Sequence, residues 1–134
     1  MTSDSGAEPP RTRCTVDRTR GGAYQWRLTA QNGRVVAVSA VAHPDLDSCR
    51  RAFAGTRSEA TALVGTVLHS TEPGGGWVWG ARGGDGALRA VSSRAYQRHA
   101  TCRAAFERFR LLLGELDAHE SQETHAVTAD PLVR

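Results

Sequence analysis

Lysine is absent from this chain, and all 17 of its basic side chains are arginine. So complete a replacement reflects genomic codon bias at least as much as selection for phosphate, and basicity alone names no partner. No apolar run reaches the roughly 18 residues of a membrane-spanning helix, which excludes that class and a membrane partner of that kind. The first ten residues are polar and lack the apolar stretch of a secretory signal, so the chain is expected in the cytoplasm. Only three cysteines occur, Cys14, Cys49 and Cys102. An odd number without a signal argues against a disulfide framework and for reduced thiols.

What is present is the composition of a globular domain, 40% hydrophobic and 23% charged over 134 residues. The charge is unevenly placed. Residues 1–110 carry 16 arginines against nine acids, whereas residues 111–134 carry one arginine against Glu115, Asp117, Glu120, Glu123 and Asp130. A basic body with an acidic end is compatible with an anionic partner.

A shift of 53 residues lays the chain on itself. It places Gly21-Gly22 on Gly74-Gly75, Trp26 on Trp79 and Gly33 on Gly86. It also places Ala37-Val38-Ser39 on Ala90-Val91-Ser92, Cys49-Arg50 on Cys102-Arg103, and Ala52-Phe53 on Ala105-Phe106. One constant offset over so many positions is the signature of a tandem repeat.

Each copy has a hairpin signal at its middle, Asn32-Gly33 and then Asp85-Gly86. Such pairs favour the positive φ of a type I′ turn. Folding the first copy about it sets Ala30 against Val35, Leu28 against Ala37 and Trp26 against Ser39. One face then carries Tyr24, Trp26, Leu28, Ala30, Val35 and Ala37, and its counterpart carries Trp77, Trp79, Ala81, Leu88 and Ala90. A further strand precedes each hairpin, at about Arg13–Arg18 and Gly65–Thr71. After each hairpin the apolar period lengthens to that of a helix. Leu46, Cys49, Ala52, Phe53 and Thr56 share one stripe, with Asp45 placed to cap it. His99, Cys102, Ala105, Phe106, Phe109, Leu113 and Leu116 form the second, longer stripe.

The expected fold is therefore α+β, a tandem duplication of a β-β-β-α unit forming one antiparallel sheet covered on one face by helices. Residues 1–12 are expected to be a flexible N-terminus and 13–117 a single domain, with repeats at 13–63 and 66–116. Residues 118–134 are expected to be a flexible acidic tail.

The segment Tyr24–Ser39, reading YQWRLTAQNGRVVAVS, followed by a helix with Cys49 and Arg57, resembles the YegP-like family. The resemblance covers about residues 13–117. It is looser in the second copy, where Gly80-Ala81-Arg82 and Asp85 depart from the family pattern and Tyr96 matches an aromatic that is His43 in the first. The resemblance implies a pseudo-symmetric α+β fold with helices exchanged between halves. It implies no chemistry, because the family is a domain of unknown function.

No cofactor and no catalytic set emerges from the residues. No G-x-S-x-G surrounds Ser39 or Ser92, and the glycines near 74–86 lack the Lys of a phosphate loop. His99 and Cys102 make an H-x-x-C with no second pair to complete a metal site. Cys49 and Cys102 fit the buried stripes as small apolar side chains. A non-enzymatic reading follows. The remaining candidate is the sheet face away from the helices, expected to carry Gln25, Arg27, Thr29, Val36 and Val38, then Val78, Arg82, Arg89 and Val91, with Arg34 at the hairpin tip. Arginine mixed with valine on an open sheet suits an unidentified protein partner or self-association, and secondarily a nucleic acid. Of these, Arg27, Arg34, Val36, Val38, Arg82, Arg89 and Val91 form the candidate partner surface. Two repeats in one chain favour a monomer with an internal pseudo-two-fold over an obligate dimer.

Overall fold

Alternating apolar residues make the sheet's inner face. The pleat sends Trp26, Leu28, Ala37, Ala81 and Trp79 to one side, where each is at most 1% exposed. The computed structural model describes residues 11–122. In chain order these form β1 (Arg13–Arg18), β2 (Tyr24–Thr29), β3 (Val35–Ser39), α1 (Leu46–Ser58) and a 3-10 turn (Ala60–Ala62), followed by β4 (Val64–His69), β5 (Trp77–Arg82), β6 (Leu88–Ser92) and α2 (His99–Gln122). All strand pairs are antiparallel in one six-stranded sheet of order β1-β2-β3-β6-β5-β4. The α+β class and the single antiparallel sheet are as expected.

The helices lie on the inner face. Phe53 of α1 meets Trp26 edge-on at 5.0 Å, while Phe109 of α2 stacks on Trp79 at 4.9 Å. Each buried tryptophan removes roughly 200 Å² from water, an upper figure on the order of 5 kcal/mol. The cap on α1 forms as the sequence indicates: Ser48 N–H donates to Asp45 Oδ1 at 2.8 Å. That bond holds the Asp45 carboxyl below its ordinary pKa. The two stripes bury Cys49, Phe53 and Thr56 on α1, and Cys102, Phe106, Phe109, Leu113 and Leu116 on α2. Leu112, outside the expected stripe, is buried as well.

Helix exchange between halves, implied by the resemblance, is not what the contacts give. Helix α1 rests on β1 and β2, and α2 rests chiefly on β5 and β4, reaching β3. The reason is local. After β3 the chain doubles back and bridges its own β2, with Tyr24 and His43 exchanging backbone hydrogen bonds of 2.8 and 2.7 Å. Trp77 and Tyr96 do the same at 2.7 Å each. Each helix therefore starts beside the strand pair that precedes it.

The hairpins also differ from expectation. Gly33 N–H donates to Ala30 O, and Ala30 N–H to Arg34 O, so the loop has three residues instead of the two of a type I′ turn. Gly33 takes φ 85° there, and Gly86 repeats the arrangement at φ 82°. The longer loop shifts the register. Leu28 faces Ala37 as expected, but the next pair is Thr29 with Val35, not Ala30 with Val35. Val36 is thus an extra, bulged residue, and between Ala81 and Arg82 the same irregularity makes Arg89 one.

Most of the expected flexible termini lie outside the described residues. Thr12, however, is buried, and α2 continues past residue 117 to Gln122.

Candidate interaction surface

Register defines the open face. Arg27 pairs with Val38, Val38 with Val91, and Val91 with Gly80, so these residues point away from Trp26 and Trp79. Beyond them Leu68 pairs with Val78, and Val64 with Arg82. The valines of the centre are half-buried, whereas Val64 and Leu68 on β4 are 60% and 55% exposed. An apolar band therefore runs from the central β3–β6 seam towards the β4 edge. Among the described residues no helix covers this face, since every ring contact between a helix and the sheet is made through the inner face.

Of the seven candidate residues, the strands bring five to this face or its rim. Val38 and Val91 form its centre. Arg27 is exposed, donating to Thr15 Oγ1 at 3.2 Å and lying 3.4 Å from Asp17. Arg82 is exposed and donates to Gly86 O at 2.9 Å, and Arg34 is exposed at the hairpin tip. Val36 and Arg89 are displaced, because the bulge turns each of them to the inner side. Val36 packs against the core. The Arg89 guanidinium reaches Glu59 at 3.2 Å and Asp85 at 3.0 Å. Burial works against its charge, but the Glu59 and Asp85 carboxylates outweigh that and raise its pKa. Thr29, also expected outside, is 5% exposed.

Glu59 and Arg89 wall a cleft of about 240 Å³ between the α1 C-terminus and β6, with Thr56 and Trp26 at its base. The 53-residue offset explains the space. Thr56 and Glu59 stand where α2 has Phe109 and Leu112, so one side holds a ring and a leucine where the other holds a hydroxyl and an ion pair. Gly83 lies against the pair: a Cβ there would stand 2.5 Å from Glu59 Oε1 and displace the ends of both side chains. No signal at the sequence level marked Glu59, which lies 30 residues from Arg89.

Reactive groups are engaged in structure. Cys49 and Cys102 are fully buried, and desolvation pushes both thiols up, Cys49 to about 11. Ser39 Oγ donates to Val41 O at 3.0 Å, and Ser92 Oγ accepts from the Trp79 backbone N–H at 3.2 Å. His99 meets the Trp77 ring edge-on at 4.9 Å. Among the described residues no three His, Cys, Asp or Glu side chains cluster as metal ligands, and no helix is long and apolar enough to cross a membrane.

These features define an α+β protein with a six-stranded antiparallel sheet, helices on one face and the other face open. No protein-family model matches the chain, and no curated protein does. Among solved structures it is similar to the YegP protein of E. coli, a protein of unknown function, with a TM-score of 0.61 at 12% identity, over 78% of this chain and 87% of that one. It is also similar to a UPF0339 protein of Shewanella oneidensis, with a TM-score of 0.58 at 9% identity, over 74% of this chain and 81% of that one. The chain thus has the YegP-like fold, and at these identities the likeness is one of fold alone.

Proposed function

We propose that this protein is a non-catalytic cytoplasmic interaction module that binds a protein partner through its open sheet face. One observation carries the reading: a band of Val38, Val91, Val78, Leu68 and Val64 lies uncovered, rimmed by Arg27 and Arg82. An apolar centre with a charged rim is the make-up of a protein interface. A partner segment with apolar side chains flanked by acids would match it. The nucleic-acid alternative has less support. Trp26, Trp77 and Trp79, which would stack bases, share the helix-covered face, and Arg27 is engaged by Asp17.

The same reading takes the two β-β-β-α units as products of one duplication, supported by the 53-residue offset and by two bulges at equivalent positions, Val36 and Arg89. The test is capture of partners on immobilised wild-type protein and on Val38→Glu and Val91→Glu variants, beside titration of labelled single-stranded RNA and DNA at low and high salt. A salt-tolerant protein partner lost in both variants supports the module. Nucleic-acid binding that weakens steeply with salt and vanishes on changing Arg27 and Arg82 to Ala replaces it with the alternative.

A further inference from the structure

The two edges of the sheet are unlike. β1 carries Arg13, Asp17 and Arg18, the charged side chains that guard an edge against pairing with another chain. β4 reads Val-Gly-Thr-Val-Leu-His, with no Asp, Glu, Lys, Arg or Pro, and exposes Val64 and Leu68. It is the sheet's unguarded edge.

We propose that β4 is a homodimer interface, pairing antiparallel with the β4 of a second copy about a two-fold axis at Thr66. The strand is self-complementary in that register. Val64 falls opposite the second copy's Leu68 and Leu68 opposite its Val64, so four exposed apolar side chains cover one another on the open face. On the inner face Gly65 falls opposite the second copy's Val67. Gly65 has no side chain because the Phe106 ring lies where a Cβ would be, 2.4 Å away. Beside it runs a cleft of about 230 Å³, bounded by Val64, Gly65 and Val67 on the strand and by Arg103, Glu107 and Arg110 on α2. The Phe106 ring fills the space above Gly65, so it is the cleft beside it that receives the opposing valine, twice per dimer. No like charges meet along the strands. The product is one twelve-stranded sheet, in place of the monomer that the two repeats suggest from sequence. Val64 and Leu68 belong to the open-face band as well, so Val38→Glu, which alters that face away from β4, is the substitution that separates the two readings.

The experiment is light scattering on the full chain after size exclusion, across low to high micromolar concentration. The expected mass is twice the 14.4 kDa of one chain. Val64→Lys and Leu68→Glu alter exposed side chains, so each variant is expected to keep the wild-type circular dichroism while its mass halves. Mixing the two variants places the introduced ammonium of one chain opposite the introduced carboxylate of the other and restores the doubled mass. Val38→Glu, on the open face, leaves the wild-type mass unchanged. A wild-type mass of one chain at every concentration overturns the proposal, as does a dimer that survives both variants. Failure of the mixture to recover overturns the register on which it rests.

Discussion

At the residue scale the chemistry of this chain is that of side chains held in place. Cys49 and Cys102 sit in the helix stripes with thiols raised by desolvation, so at neutral pH both stay protonated and unreactive. Under native conditions an alkylating reagent is expected to label the half-buried Cys14 alone, with all three labelled in denaturant, as read by intact mass. The raised pKa has a stability consequence of definite sign. The unfolded Cys49 thiol ionises near its ordinary value of 9.0 and the folded one near about 11, so stability contributed below pH 9 is lost as pH rises through that window. Thermal melts at stepped alkaline pH, compared with Cys49→Ala, measure it: the variant's melting temperature should fall less across the same interval. Gly65 is constrained by space instead of charge. Gly65→Ala forces its methyl into the Phe106 ring and is expected to cost about 1–3 kcal/mol in chemical denaturation.

At the element scale the two helices solve the same packing problem differently. Where α2 offers Leu112 and β3 offers Val36, the C-cap of α1 offers Glu59 and β6 offers Arg89. Both partners of the pair are less than a third exposed, so removing Arg89 strands the Glu59 carboxylate, while removing Glu59 leaves Arg89 with Asp85 alone. Glu59→Leu or Arg89→Val alone is expected to destabilise by about 1–3 kcal/mol, while the double variant, which copies the other half, returns to within about 1 kcal/mol of wild type. A urea double-mutant cycle reads the coupling directly. The same positions show what sequence reveals and what it hides. Strands, helices and their buried faces were legible because Trp26, Leu28 and Ala37, or Cys102, Phe106 and Phe109, repeat at the period of their element. The bulges were not. Asn32-Gly33 permits a two- or a three-residue loop, and one extra loop residue sends Val36 and Arg89 to the opposite face without altering any propensity. The Glu59–Arg89 pair followed from the same shift, so it was equally hidden. Val38 and Val91 lie on the far side of the bulges from the hairpin tips, and their face was read correctly for that reason.

At the scale of the whole molecule the halves are unequal in core. Phe106, Phe109, Leu112, Leu113 and Leu116 pack under α2, whereas Phe53, Ala60 and Leu63 are the apolar residues at the matching positions after β3. Amides of β1, β2 and α1 are therefore expected to exchange with deuterium sooner than those of β4, β5 and α2 at neutral pH, as hydrogen exchange by mass spectrometry resolves. Equal protection in both halves would mean that the central strand pair makes them open as one unit.

That central pair has a further consequence. Among the described residues, Ala37–Ser92, Val38–Val91 and Ser39–Ala90 are the pairs that join β3 to β6, and each helix stays chiefly over the strands of its own half. The covalent link between the halves passes through an exposed turn at Thr61. A chain severed there presents two fragments whose matching surfaces are a strand edge and the far end of each helix. Two fragments cut at this point and co-expressed are therefore expected to reassemble, and a reporter enzyme split between them would read it.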